Sequence, residues 1–111
     1  MSMGDLDPVI HAPKRLMAMA VLANTEYATF QFLKEQLDLK DSDLSKQMST
    51  LESVGYVKSH KRGRGPGSVT TFVMTRQGGR AYKAHRAALY SLLNTEPAAL
   101  KPEPAAQDEG A

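Results

Sequence analysis

Cysteine is absent from the 111 residues. That excludes disulfides and thiolate metal sites, and it is compatible with a reducing compartment. Tryptophan is absent too, and phenylalanine occurs only three times. A core must therefore be built from Leu, Val, Met, Ala and a few Tyr. No apolar run approaches the roughly 20 residues of a membrane span. The start, Met1 to Asp7, is acidic and lacks the apolar core of a signal peptide. These absences together lead us to expect a cytoplasmic protein with no membrane partner. The most informative absence is that of acid between Tyr56 and Asn94. That segment holds eight cations and no carboxylate, a net +8. Residues 1–55 hold five cations and eight anions, a net −3, and residues 95–111 hold one lysine and four acids, again −3. The overall +2 therefore hides a concentrated basic region. Such clustering is the electrostatic footprint of a polyanion site, whereas a merely solvated face mixes both signs.

What is present suits one globular domain, with 41% hydrophobic and 23% charged residues and too few for two separate cores. The stretch Asp41 to Val57 organises the rest. Asp41 or Ser42 is placed to cap a helix, and acids there suit its dipole. Leu44, Met48, Leu51 and Gly55 fall on one stripe, and Gly55 is placed to take the left-handed conformation that ends a helix. The opposite face carries Ser45, Lys46, Ser49, Thr50 and Ser53. It is short-chained and hydroxyl-rich, so another surface can approach it closely. Two runs rich in aromatic and β-branched residues come next, Tyr56 to Lys61 and Ser68 to Met74, as strands require. Between them Arg62-Gly63-Arg64-Gly65-Pro66-Gly67 reads as a flexible basic turn.

The phrase Leu44 to Val57, with this basic hairpin and Thr75-Arg76-Gln77-Gly78-Gly79-Arg80 after it, resembles the winged helix-turn-helix of bacterial transcription regulators. The small group between the MarR and PadR types is the nearest, and the likeness covers roughly residues 12–93. It implies a mainly α fold with a small β-hairpin (α+β), a recognition helix, a wing, and a long C-terminal dimerisation helix. Met74 stands where the last phrase of such families has leucine.

In chain order, residues 1–10 show no periodicity and read as a loose lead-in. Pro13 suits a first helical turn, opening helix 1 over Pro13–Ala23, apolar on most sides. Tyr27-Ala28 can form a short strand. Thr29 caps helix 2, Phe30–Leu37, and Asp38-Leu39-Lys40 turns into helix 3. Thr75 caps helix 4, which runs to Leu93 with a basic first half and an apolar second half. The expected domain is 1–94. Residues 95–111, with their prolines, alanines and acids, read as a disordered tail.

Catalytic signatures are missing. His11, His60 and His85 have no ligand spacing to one another or to carboxylates, so no metal or other cofactor is expected. Gly63-x-Gly65-x-Gly67 is not a phosphate loop, because a strand rather than a helix comes after it. The expected function is sequence-specific binding of double-stranded DNA in transcription regulation, with repression favoured because little exists beyond the binding unit. On this reading Ser42, Ser45, Lys46, Ser49 and Thr50 face base edges or flanking phosphates. Asp43 either accepts from a cytosine amine or serves only as a first-turn acid. Lys61, Arg62 and Arg64 reach phosphates or the minor groove, and Lys58, Arg76 and Arg80 contact the backbone. Surplus apolar surface on helices 1 and 4 predicts a homodimer through Leu16, Met17, Val21, Tyr82, His85, Leu89, Leu92 and Leu93. The alternatives are a protein-interaction module, or a sensor with an effector pocket at the dimer interface.

Overall fold

Local chemistry sets the element boundaries of the computed structural model, which describes residues 3–94. The Pro/Ala-rich tail expected to be disordered lies outside them. Pro13 opens α1 (Pro13–Ala23), its missing N–H falling where the helix has no partner for it. Thr29 Oγ1 accepts from the Phe32 amide at 3.0 Å and starts α2 (Phe30–Leu37). Asp38 closes α2 in the left-handed region, at φ 54°. Helix α3 (Asp41–Ser53) begins with Lys40 as its flanking residue and no side-chain cap. The two expected caps, Asp41 and Ser42, are both already helical, and Asp41 pairs with Lys34 at 2.8 Å.

The end of α3 sets the direction in which the hairpin leaves it. Gly55, at φ 82°, donates its N–H to the Glu52 carbonyl, and Tyr56 donates to the Leu51 carbonyl, both at 3.0 Å. This pair of bonds is a Schellman motif, and it turns the chain directly into β2 (Val57–Arg62). Strand β3 (Val69–Met74) returns antiparallel, pairing Val57 with Met74 through to Arg62 with Val69. Strand β1 (Ala28–Thr29), one residue later than expected, adds to the other edge of β3, giving the order β1-β3-β2. The turn is not wholly irregular: Gly65–Gly67 forms a single 3-10 turn.

One core joins these elements. Met19 and Leu22 of α1, Leu33 of α2, Leu44, Met48 and Leu51 of α3, and Val57 and Phe72 of the sheet are buried together. Thr75 then locks α4 (Arg76–Leu93) onto the α3–β2 junction. Its hydroxyl donates to the Gly55 carbonyl at 2.6 Å and accepts from the Gly78 amide at 2.9 Å, and its amide donates to the Tyr56 carbonyl at 3.0 Å.

Two expectations are overturned. Residues 3–10 are not a loose lead-in: Met3–Asp5 forms a 3-10 turn, and Leu6 and Ile10 are buried. The cause is Asp7, whose Oδ1 accepts from the Val9 and Ile10 amides and whose Oδ2 accepts from the Tyr56 hydroxyl at 2.6 Å. His85, expected at a dimer interface, is only 1% exposed within the single chain, because this N-terminal segment covers it.

Candidate nucleic-acid interface

Because Leu44, Met48 and Leu51 face the core, the helical period turns Ser45, Lys46 and Ser49 outward. All three are exposed, as is Ser42; none makes a side-chain hydrogen bond or ion pair with another described side chain, and Lys46 acts on Asp43 only through its charge. Thr50 and Ser53 differ. Their hydroxyls turn back to the Lys46 and Thr50 carbonyls at 3.1 and 2.8 Å. Such back-bonding occupies the donor and leaves only the oxygen for a ligand.

Asp43 is committed elsewhere. Its Oδ2 pairs with the Lys14 ammonium at 2.5 Å, and its Oδ1 accepts from the Gln47 amide at 2.9 Å. The hydrogen bonds from Lys14 and Gln47 hold its carboxyl below the usual carboxylate range. Gln47 in turn accepts from Arg15 Nη1 at 2.8 Å, and Arg15 Nε donates to the Val9 carbonyl at 2.6 Å. This chain of contacts fixes the N-terminal half of α3 against α1. Of the two roles open to Asp43 in the sequence, the geometry favours the first-turn acid, here serving as an anchor. Lys14, Arg15 and Gln47 carry no local signal of this: the pairs lie 29 and 32 residues apart.

The pleat of the hairpin sorts the wing cations. Val57 and Phe72 are buried, so the register puts Ser59, Lys61 and Thr70 on their face and Lys58, His60 and Arg62 on the other. Ser59 donates to Glu52 at 2.9 Å, tying β2 to α3. His60, Lys61 and Arg62 border an open groove of about 490 Å³ with Tyr27, Thr29, Val69 and Thr71. Arg64 lies in the turn, and Arg76 and Arg80 occupy the first turns of α4. All these cations are exposed, and none forms an ion pair with an acid among the described residues. Unneutralised charge of one sign, beside a helix presenting free hydroxyls, can bind a polyanion.

The description "winged helix DNA-binding domain" matches residues 14–93. The chain belongs to this winged-helix DNA-binding family. An uncharacterised protein of Methanocaldococcus jannaschii is 31% identical over 86 residues, covering 77% of this chain and 89% of its own. Among solved structures, a transcriptional regulator homologue from Pyrococcus horikoshii superposes with a TM-score of 0.71 at 26% identity, over 78% of this chain and 85% of that chain. A zinc-responsive MarR family member of Lactococcus lactis shares the fold, with a TM-score of 0.59 at 21% identity over 80% of this chain and 60% of its own. The family is a DNA-binding one, and the Pyrococcus horikoshii neighbour is a transcriptional regulator homologue rather than an enzyme. No helix among the described residues is long and apolar enough to cross a membrane.

The residues expected at a dimer interface separate into three sets. Met17 and Leu93 are 52% and 74% exposed, and Tyr90 beside them is 70% exposed. Leu89 lines an open apolar groove on α4 with Ala87, Tyr90 and Leu93, flanked by Lys83 and Arg86. Leu92 is half-buried, while Leu16, Val21 and Tyr82 pack partly against the protomer's own core. His85 lies wholly inside the protomer.

Proposed function

We propose that this winged helix is a homodimeric, sequence-specific repressor that sets α3 in the major groove and lays its wing on the backbone or in the adjacent minor groove. The observation that carries the reading is the contrast within one face of α3. Ser42, Ser45, Lys46 and Ser49 are exposed and uncommitted, whereas Asp43 and Gln47 beside them are locked to α1. A helix held rigidly at its entry, with short donors left free, suits reading base edges. The wing supplies the sequence-independent attraction through Lys61, Arg62 and Arg64, with Lys58, Arg76 and Arg80 as further backbone contacts. Genome-wide capture of DNA with this protein tests the reading: recovered fragments should share one motif with two-fold symmetry. Recovery of fragments without a common motif would reject sequence-specific reading.

Dimerisation rests on α4. Its groove around Leu89, Tyr90 and Leu93 presents apolar side chains that a lone protomer leaves in water. Sedimentation at micromolar concentration should give twice the 12.1 kDa protomer mass. Leu89→Glu should return it to a monomer, because a two-fold contact would desolvate the new charge twice. A wild-type monomer would refute the assembly.

A further inference from the structure

We propose that residues 3–12 form an acid-releasable clasp across α4 and the α3–β2 junction, with Asp7 as its pin and His85 as its release. Asp7 touches both sides. Its backbone N–H donates to His85 Nδ1 of α4 at 3.0 Å, and its carboxylate accepts from the Tyr56 hydroxyl at 2.6 Å. Tyr56 is the residue whose amide completes the end of α3, so the clasp spans from the reading helix to the long helix. Asp7 is thus a positioning residue, with Leu6 and Ile10 buried on either side of it.

The histidine bonding pattern makes this contact incompatible with protonation. A backbone N–H can only donate, so His85 Nδ1 must carry no proton. The neutral ring then bears its proton on Nε2, which lies 3.2 Å from His11 Nδ1 and can donate to it. A second proton could go only to Nδ1, where it would meet the Asp7 N–H head on.

The groups around His85 act in different directions. Burial lowers its affinity for a proton, His11 lowers it further, and the Asp7 carboxylate opposes both. That carboxylate is already engaged by the Val9 and Ile10 amides and by Tyr56, whose hydroxyl it pushes up to about 12. Arg15 of α1 holds the same segment at the Val9 carbonyl. The net effect is a folded His85 that titrates below its ordinary value of about 6.5. A depressed value contributes stability above the unfolded pKa, and that stability is lost as pH falls through the folded pKa. The clasp should therefore hold at neutral pH and loosen in acid.

Nuclear magnetic resonance on the full chain tests this without reference to DNA. The His85 ring should titrate below the ordinary histidine value. The exchange protection of the Asp7, Val9 and Ile10 amides should fall about tenfold or more with the same midpoint, relative to the core amide of Leu33. In His85→Gln, which keeps an acceptor but cannot titrate, those amides should keep their protection over the same range. Ring titration without loss of protection, or an equal loss in His85→Gln, would overturn the proposal. Should that variant fail to fold, Tyr56→Phe removes only the hydroxyl, and release should then move to higher pH. An unchanged midpoint would show that Asp7 does not pin the junction.

Discussion

Gly78→Ala is expected to destabilise the protein by about 3 kcal/mol or more, a fall in melting temperature of roughly 10–20 °C for a domain of this size. A Cβ at this position would lie 2.1 Å from the Tyr56 carbonyl oxygen, and 2.8 and 2.9 Å from its carbonyl carbon and Cα. All three are backbone atoms, so no side-chain rotation relieves the overlap. Tyr56 itself cannot yield easily. Its N–H bonds to the Leu51 carbonyl, and its carbonyl accepts from Thr75, each at 3.0 Å. Moving it would undo the end of α3 and the start of α4 together. Gly79→Ala provides the control within the same turn. Its Cβ would meet only the Met74 sulfur at 3.7 Å, an ordinary contact. Alanine is the better helix former there by about 0.5–1 kcal/mol, so this variant should be neutral or slightly more stable. Thermal unfolding of the two variants side by side checks the result. Equal melting temperatures would mean that α4 does not approach Tyr56 this closely in solution.

The same junction shows where sequence reasoning succeeds. Pro13, Thr29 and Gly55, and Thr75 in its bond from the Gly78 amide, act on backbone groups a few residues away, so these roles are local and legible. The observed bounds of α1 and α2 reflect them. The stripe of Leu44, Met48 and Leu51 is equally legible, because burial on a helix tracks its period. Reading fails where partners are distant in the chain. Asp7 meets Tyr56 across 49 residues and His85 across 78, and no periodicity announces either contact. Without those partners residues 3–10 look structureless, and His85 looks like a surface residue at the edge of an apolar face. The basic region is visible as composition, but its division between the two faces of the hairpin requires the register. The α3 face is visible as a set of residue types. Which hydroxyls are free and which turn back to their own helix depends on rotamers that the sequence does not specify.

That distinction leads to the second large effect, which separates charge from reading. Replacing Arg62 and Arg64 by Ala should weaken binding to every duplex. If each meets one phosphate, the slope of log affinity against log salt should fall by about 1.8, and affinity near 0.1 M salt should drop roughly fifty-fold. An arginine in the minor groove would add a larger loss on A·T-rich flanks. Replacing Ser49, whose hydroxyl is uncommitted, by a bulkier residue such as Leu should act oppositely. Specific binding should fall by about 1–3 kcal/mol while the salt slope and the affinity for scrambled duplex stay nearly constant. Thr50 is the weaker lever, because its hydroxyl already bonds to the Lys46 carbonyl. The measurement is a titration of specific and scrambled duplexes at several salt concentrations for each variant. Were the double arginine variant to keep full affinity and an unchanged slope, the wing would not be a DNA contact. Its unpaired cations would then point to an acidic protein partner. Were Ser49→Leu to lower both affinities equally, α3 would be positioning the protein rather than reading sequence.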